Sequence, residues 1–126
     1  MSDMILIIED NLANLKLVSA ILNSAGYNVC SAMSAEAGLL LVESEHPDLI
    51  LMDIQLPGMD GLTATARLKQ NPATRDIPVI ALTAFAMKGD RERMLAGGCD
   101  DYVTKPIDYK QFLVTVAQHL EAGNHD

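Results

Sequence analysis

The amino-acid sequence predicts a single α/β domain built around a doubly wound parallel sheet. Three observations predict it. Short apolar runs alternate with longer amphipathic ones, which is the signature of βα units. The length of 126 residues suits one domain, here 1–126, and an apolar share of 49% is ample for one core. Aromatic residues make up only 4%, so aliphatic side chains must supply most of that core.

The elements follow in order. Met4–Ile8 is a short apolar run that meets Glu9 and Asp10, and it reads as a strand rather than a signal peptide. From about Leu12 to Ala25, Leu15, Val18 and Leu22 recur at helical spacing, with Asn11 as N-cap and Gly26 as C-terminal stop. Asn28–Ala32 reads as the second strand. Ser34 can cap the next helix, which carries Ala37, Leu40 and Leu41 and stops before Pro47. Leu49–Met52 is apolar throughout, as a central strand buried on both faces should be, and Asp53 closes it. The turn over residues 55–61 leads into a helix ending near Asn71–Pro72. Val79–Leu82 forms the fourth strand, Lys88–Leu95 a short charged helix stopped by Gly97–Gly98, and Asp101–Val103 the fifth strand. In the last helix Asp108 and Gln111 resemble a capping box. Tyr109, Phe112, Leu113, Val116, Ala117 and Leu120 line one face, and a polar tail over 121–126 should fray.

Composition narrows the function classes. A net charge of −8 argues against direct binding to DNA or to an anionic membrane. No apolar stretch is long enough to insert into a bilayer. Cys30 and Cys99 fit reduced thiols in a cytoplasmic protein, and no Cys or His pair has zinc-ligand spacing.

In a doubly wound sheet, ligands bind beyond the carboxyl ends of the strands. That rule gathers Glu9 and Asp10 after strand one, Asp53 ending strand three, Thr83 ending strand four and Lys105 after strand five. Three carboxylates crowded together repel each other unless a hard cation compensates, and Mg2+ suits a site with few carboxylates. Taken alone, Glu9–Asp10 is better explained as acidic residues at a helix N-terminus. Asp53 is harder to dismiss, because a carboxylate closing a buried strand must find partners. A carboxylate can also attack phosphorus and form an aspartyl phosphate. Lys105 and the Thr83 hydroxyl can then bind phosphate oxygens.

Glu9–Asp10, Asp53 within the stretch 49–61, Thr83–Ala84 and Lys105–Pro106 together resemble the receiver domain of two-component response regulators. The likeness runs from about Met4 to Leu120, and the stretch 77–90 is especially similar to DivK-like single-domain regulators. The resemblance implies a flavodoxin-like five-stranded parallel sheet in the order 2-1-3-4-5 with five helices. It implies phosphorylation of Asp53 by a histidine kinase or histidine phosphotransfer protein. It implies Mg2+ bound by Asp10, Asp53 and the backbone carbonyl of Gln55, with Glu9 supporting. It gives Thr83 and Lys105 contacts to the phosphate and makes Thr83 and Tyr102 the switch. The strand order puts the two cysteines at opposite edges, too far apart to bridge. A cis Lys105–Pro106 bond is also implied, although trans is the commoner case for any one proline.

Signal output is expected through the fourth helix, fifth strand and fifth helix, with Lys88, Asp90, Arg91, Glu92 and Arg93 giving mixed charge and Phe85 and Met87 apolar contact. A bland reading of Tyr102 leaves its hydroxyl in water, and most of the charged helix reads as solvated surface. The resemblance also implies that the first helix, with Leu12, Asn14 and Leu15 beside the pocket, is the docking surface for a kinase or phosphotransfer protein. Gln55, two positions after Asp53, can orient or obstruct a hydrolytic water. The expected function is a non-enzymatic switch, monomer or weak dimer, acting on a downstream protein; a phosphorelay intermediate or phosphate sink is the alternative. A haloacid-dehalogenase-like phosphatase would need a second aspartate where Gln55 stands. An FMN binder would suffer repulsion from Glu9–Asp10.

Overall fold

A computed structural model describes residues 3–84 and 88–123. Five strands, β1 (Met4–Ile8), β2 (Asn28–Ala32), β3 (Leu49–Asp53), β4 (Val79–Thr83) and β5 (Asp101–Thr104), form one parallel sheet in the order β2-β1-β3-β4-β5. Five helices, α1 (Leu12–Ser24), α2 (Ala35–Glu45), α3 (Gly61–Gln70), α4 (Lys88–Ala96) and α5 (Tyr109–Gly123), alternate with them. This is the architecture and strand order that the family resemblance implied.

The central strands are buried on both faces because helices cover both. On one face Leu6, Ile8, Ile50, Met52, Val79 and Ala81 pack against α2, α3 and α4. On the other, Ile5, Ile7, Leu49, Leu51, Ile80 and Leu82 pack against α1 and α5. Alternation along each strand sends successive side chains to opposite layers, so an all-apolar run serves both.

Helix α1 matches its pattern. Leu15, Val18 and Leu22 are its buried residues, and the Asn11 side chain accepts from the Asn14 amide. Gly26 sits at φ 93, where an L-residue with a Cβ would be strained, and the Tyr27 amide returns to Leu22 O. Ser34 caps α2 as expected.

The inward face of α2 differs from the sequence reading. Ala35, Gly38 and Val42 are buried, whereas Leu40 is 68% exposed and Ala37 is also exposed. Gly38 explains the difference: a Cβ there would overlap the Ile8 side chain, so the helix approaches β1 through its small residues. Tyr109, the first residue of α5, likewise departs from the expected apolar face and is 55% exposed. Helix α5 also runs through Gly123, beyond Leu120, so the expected polar tail is helical in its first part.

The pole opposite the carboxyl ends of the strands is tied by Lys69. Its Nζ donates to Arg75 O at 3.1 Å, Ile77 O at 2.9 Å and Asp100 Oδ2 at 2.9 Å. The same Asp100 oxygen accepts from the Val79 amide at 2.8 Å. One ammonium thus joins the end of α3 to the entries of β4 and β5.

Candidate functional site

The parallel strands deliver their last residues to one rim. Glu9 and Asp10 leave β1, Asp53 closes β3, Thr83 closes β4, and Lys105 follows β5. Glu9, Asp53 and Thr83 are buried, Lys105 is half-buried and Asp10 is exposed. The structure therefore brings together the residues that the strand-end argument gathered. Gln55 is exposed beside them, with its amide donating to Asp53 Oδ1 at 3.0 Å.

Lys105 is the cation of the pocket. Its Nζ lies 2.9 Å from Glu9 Oε1 and 3.4 Å from Asp53 Oδ2. Its amide donates to Thr83 O at 2.7 Å, and the Lys105–Pro106 bond is cis, as the resemblance implied. The sequence resemblance aims this lysine at a phosphate. It is also the partner that makes a fully buried Glu9 tolerable, since a lone buried carboxylate is costly. Nothing in the spacing of residues 9 and 105 signals that pairing.

Electrostatics separate the two buried carboxyls. Asp53 is pushed up to about 7, by burial first and then by its hydrogen-bonded neighbour Glu9. Burial pushes Glu9 upward too, but the Asp53 hydrogen bond and the Lys105 ammonium outweigh it and hold Glu9 below its ordinary value. Burial works against the charge on Lys105, yet the two carboxylates raise it above the usual lysine range. One ammonium does not balance the carboxylates of Glu9, Asp10 and Asp53.

Carboxylate oxygens of Glu9, Asp10 and Asp53 lie within 4.8 Å of one another. Glu9 Oε2 is buried with no hydrogen-bond partner among the described residues. A hard cation with oxygen ligands fits this set: it would meet the surplus charge and the orphaned oxygen together.

Close packing holds Asp53 from below. A Cβ on Gly61 would overlap the carbonyl oxygen of Asp53 and crowd Ile54, so the start of α3 rests directly on that backbone. The sequence motif contained Gly61, but not the reason for it.

A family model described as the response regulator receiver domain matches residues 5–117. The chain belongs to the response regulator receiver family. This receiver is 47% identical over 120 residues to the polar-differentiation response regulator DivK of Brucella ovis, covering 95% of this chain and 98% of that one. It is 46% identical over 116 residues to DivK of Brucella anthropi, covering 92% and 94%. Among solved structures, the receiver domain of the sensor histidine kinase PA1611 from Pseudomonas aeruginosa, which has a magnesium ion coordinated in its active-site cleft, superposes with a TM-score of 0.89. Identity is 35%, covering 96% of this chain and 99% of that one. The signal receiver domain of a histidine kinase from Syntrophus aciditrophicus gives 0.92 at 31% identity, covering 99% and 95%.

The surfaces around the receiver pocket are more mixed. Leu12 is exposed and Asn14 half-buried, but Leu15 is buried in the core and cannot form part of a docking surface as expected. Tyr102 is half-buried against the α2–α4 layer, and its hydroxyl accepts from Arg91 Nη1 at 3.3 Å. That contact lies at the exposed surface. Phe85 and Met87 lie outside the described residues. Cys30 and Cys99 are both free thiols, as their positions at opposite edges require.

Proposed function

We propose that this receiver is a single-domain phosphoacceptor switch in which Asp53 takes a phosphoryl group from a histidine kinase or histidine phosphotransfer protein. The observation that carries this reading is Asp53 itself. It is a buried carboxyl at the end of a central strand, 3.4 Å from the Lys105 ammonium and grouped with Glu9 and Asp10.

An Asp53 oxygen attacks phosphorus, the P–N bond to the donor imidazole breaks, and the imidazole leaves with that electron pair. Asp10, Asp53 and the Gln55 carbonyl would hold Mg2+, with Glu9 supporting, and the ion would supply neutralisation of the negative charge that gathers during transfer. Lys105 already carries its charge and needs only to exchange Glu9 for a phosphate oxygen. The Thr83 hydroxyl contacts another phosphate oxygen. Neither residue gives or takes a proton in the transfer, so the chain is a phosphoacceptor that assists its own modification rather than an enzyme acting on other molecules.

Phosphorylation adds charge at the rim and draws Thr83 toward it. Tyr102 is the second switch residue, and the α4–β5–α5 surface is the output face for a downstream protein. The reading places the switch in the cytoplasm, where the thiols stay reduced. Among the described residues no helix is long and apolar enough to cross a membrane. With acetyl phosphate and Mg2+, wild type should gain the mass of one phosphoryl group and Asp53→Asn should not. Equal modification of both would overturn the reading.

A second reading, a phosphorelay intermediate, has a specific support: the two histidine-kinase receivers above are 31–35% identical to this chain. Transfer from phosphorylated Asp53 back to a phosphotransfer histidine, faster than hydrolysis, would favour it.

A further inference from the structure

Strand β5 is an edge of the sheet, so its outer side has no strand partner among the described residues. The Lys105 amide donates inward to Thr83 O. Alternation along a parallel strand therefore turns the Tyr102 N–H outward, away from β4. That N–H donates to Asp101 Oδ1 at 2.8 Å. The other oxygen of the same carboxylate, Oδ2, lies 2.9 Å from His119 Nε2 on α5. An open edge amide recruits further strands unless something covers it. Here the cover is a side chain, and a residue of a neighbouring helix holds it in place.

Beside this edge runs a groove of about 330 Å³ between β5 and α5. Val103 and Pro106 give it an apolar lining over the buried Phe112, Asp101 and Asp108 give it negative charge, and among the described residues no lysine or arginine lines it. A guest strand laid in it meets backbone hydrogen-bonding groups on one side and two carboxylates within reach of its side chains.

We propose that the outer edge of β5 is a docking strand for an extended, basic segment of a partner protein, latched in the resting molecule by Asp101 and His119. On binding, a guest carbonyl accepts the Tyr102 N–H in place of Asp101. The released carboxylate and Asp108 then pair with lysine or arginine side chains of the guest. Tyr102 thereby joins two surfaces, its amide facing the guest and its hydroxyl held by Arg91 of α4. The signalling meaning of this site rests on reading β5 as part of the output face.

The test is a titration of isotope-labelled protein with an eight-residue peptide alternating lysine and threonine, against a glutamate–threonine counterpart, followed by amide chemical shifts. The basic peptide should shift residues 102–104 and the α5 wall of the groove, and the acidic one should not. Asp108→Asn should weaken binding about threefold, as expected for loss of one exposed charge pair. His119→Ala should tighten binding by a similar factor by freeing the latch. Glu43→Gln, on α2, should leave the affinity unchanged. Equal losses for Asp108→Asn and Glu43→Gln would reduce the effect to general attraction by an acidic protein and overturn the proposal, as would shifts centred elsewhere. Weaker binding by a folded His119→Ala would overturn the latch. Shifts at β5 that grow with protein concentration, without peptide, would make a second copy the occupant and overturn the basic guest. Asp53→Asn should bind the peptide like wild type, so failure of phosphorylation and failure of docking remain distinguishable.

Discussion

Asp53 stores a conflict between burial and charge, and that conflict is measurable. Its folded pKa of about 7 lies above the ordinary 3.8. A raised carboxyl favours the folded state fully below the ordinary value, and this contribution is lost as pH rises through the folded value. Metal-free protein should therefore lose stability between about pH 4 and 7 on account of this residue. Asp53→Asn removes the charge at nearly constant shape. In EDTA at pH 8 it should be more stable than wild type by on the order of 2 kcal/mol, with the gain shrinking toward pH 4. Thermal or urea melts at the two pH values check this; an equal gain at both would place its origin elsewhere. The same proton competes with Mg2+, so metal affinity should rise with pH up to about 7 and then level off. Calorimetry in buffers of different ionisation enthalpy should detect proton release below that point. Lys105 competes for the same carboxylates as a metal does, and Lys105→Met should strengthen Mg2+ binding while slowing phosphoryl uptake.

At the scale of single elements, small residues set the closest contacts. Gly38→Ala would push against Ile8 and should cost about 1–3 kcal/mol, as overpacking does. Adding Ile8→Val, which removes the colliding methyl, should recover part of that loss in a double-mutant cycle by urea unfolding. The same residues show where sequence pattern is informative. Helix α1 was legible because its three buried positions are all large and apolar. Helix α2 was misread because its exposed Leu40 outweighs Ala35 and Gly38 in any hydrophobic pattern, although the latter two make the contact. The strands were legible because both faces are covered and the runs are uninterrupted. Burial of Leu15 is implicit in the α1 pattern, and a side chain buried there cannot also serve a docking surface.

Across the whole molecule, chemistry and bracing sit at opposite ends of the sheet. The rim gathers surplus negative charge, while Lys69 at the far pole satisfies Asp100 and the carbonyls of Arg75 and Ile77. Lys69→Met should cost about 1–3 kcal/mol by leaving these groups to weaker partners, yet leave Mg2+ affinity at the rim unchanged. A denaturation curve and a metal titration on one variant separate the two outcomes. Strand-end logic made the rim readable in the sequence because every parallel strand points the same way. The Lys105–Glu9 pair, the Lys69 brace and the Asp101–His119 latch were not readable, since each joins residues whose proximity only the completed fold creates.

The ion pair between Glu9 and Lys105 spans 96 positions of the chain. During synthesis, Glu9, Asp10 and Asp53 leave the ribosome long before Lys105 does. A nascent chain that stops short of it carries the acidic half of the pocket without the ammonium that balances it. The pocket acquires its counter-charge only when β5 has been translated and docked.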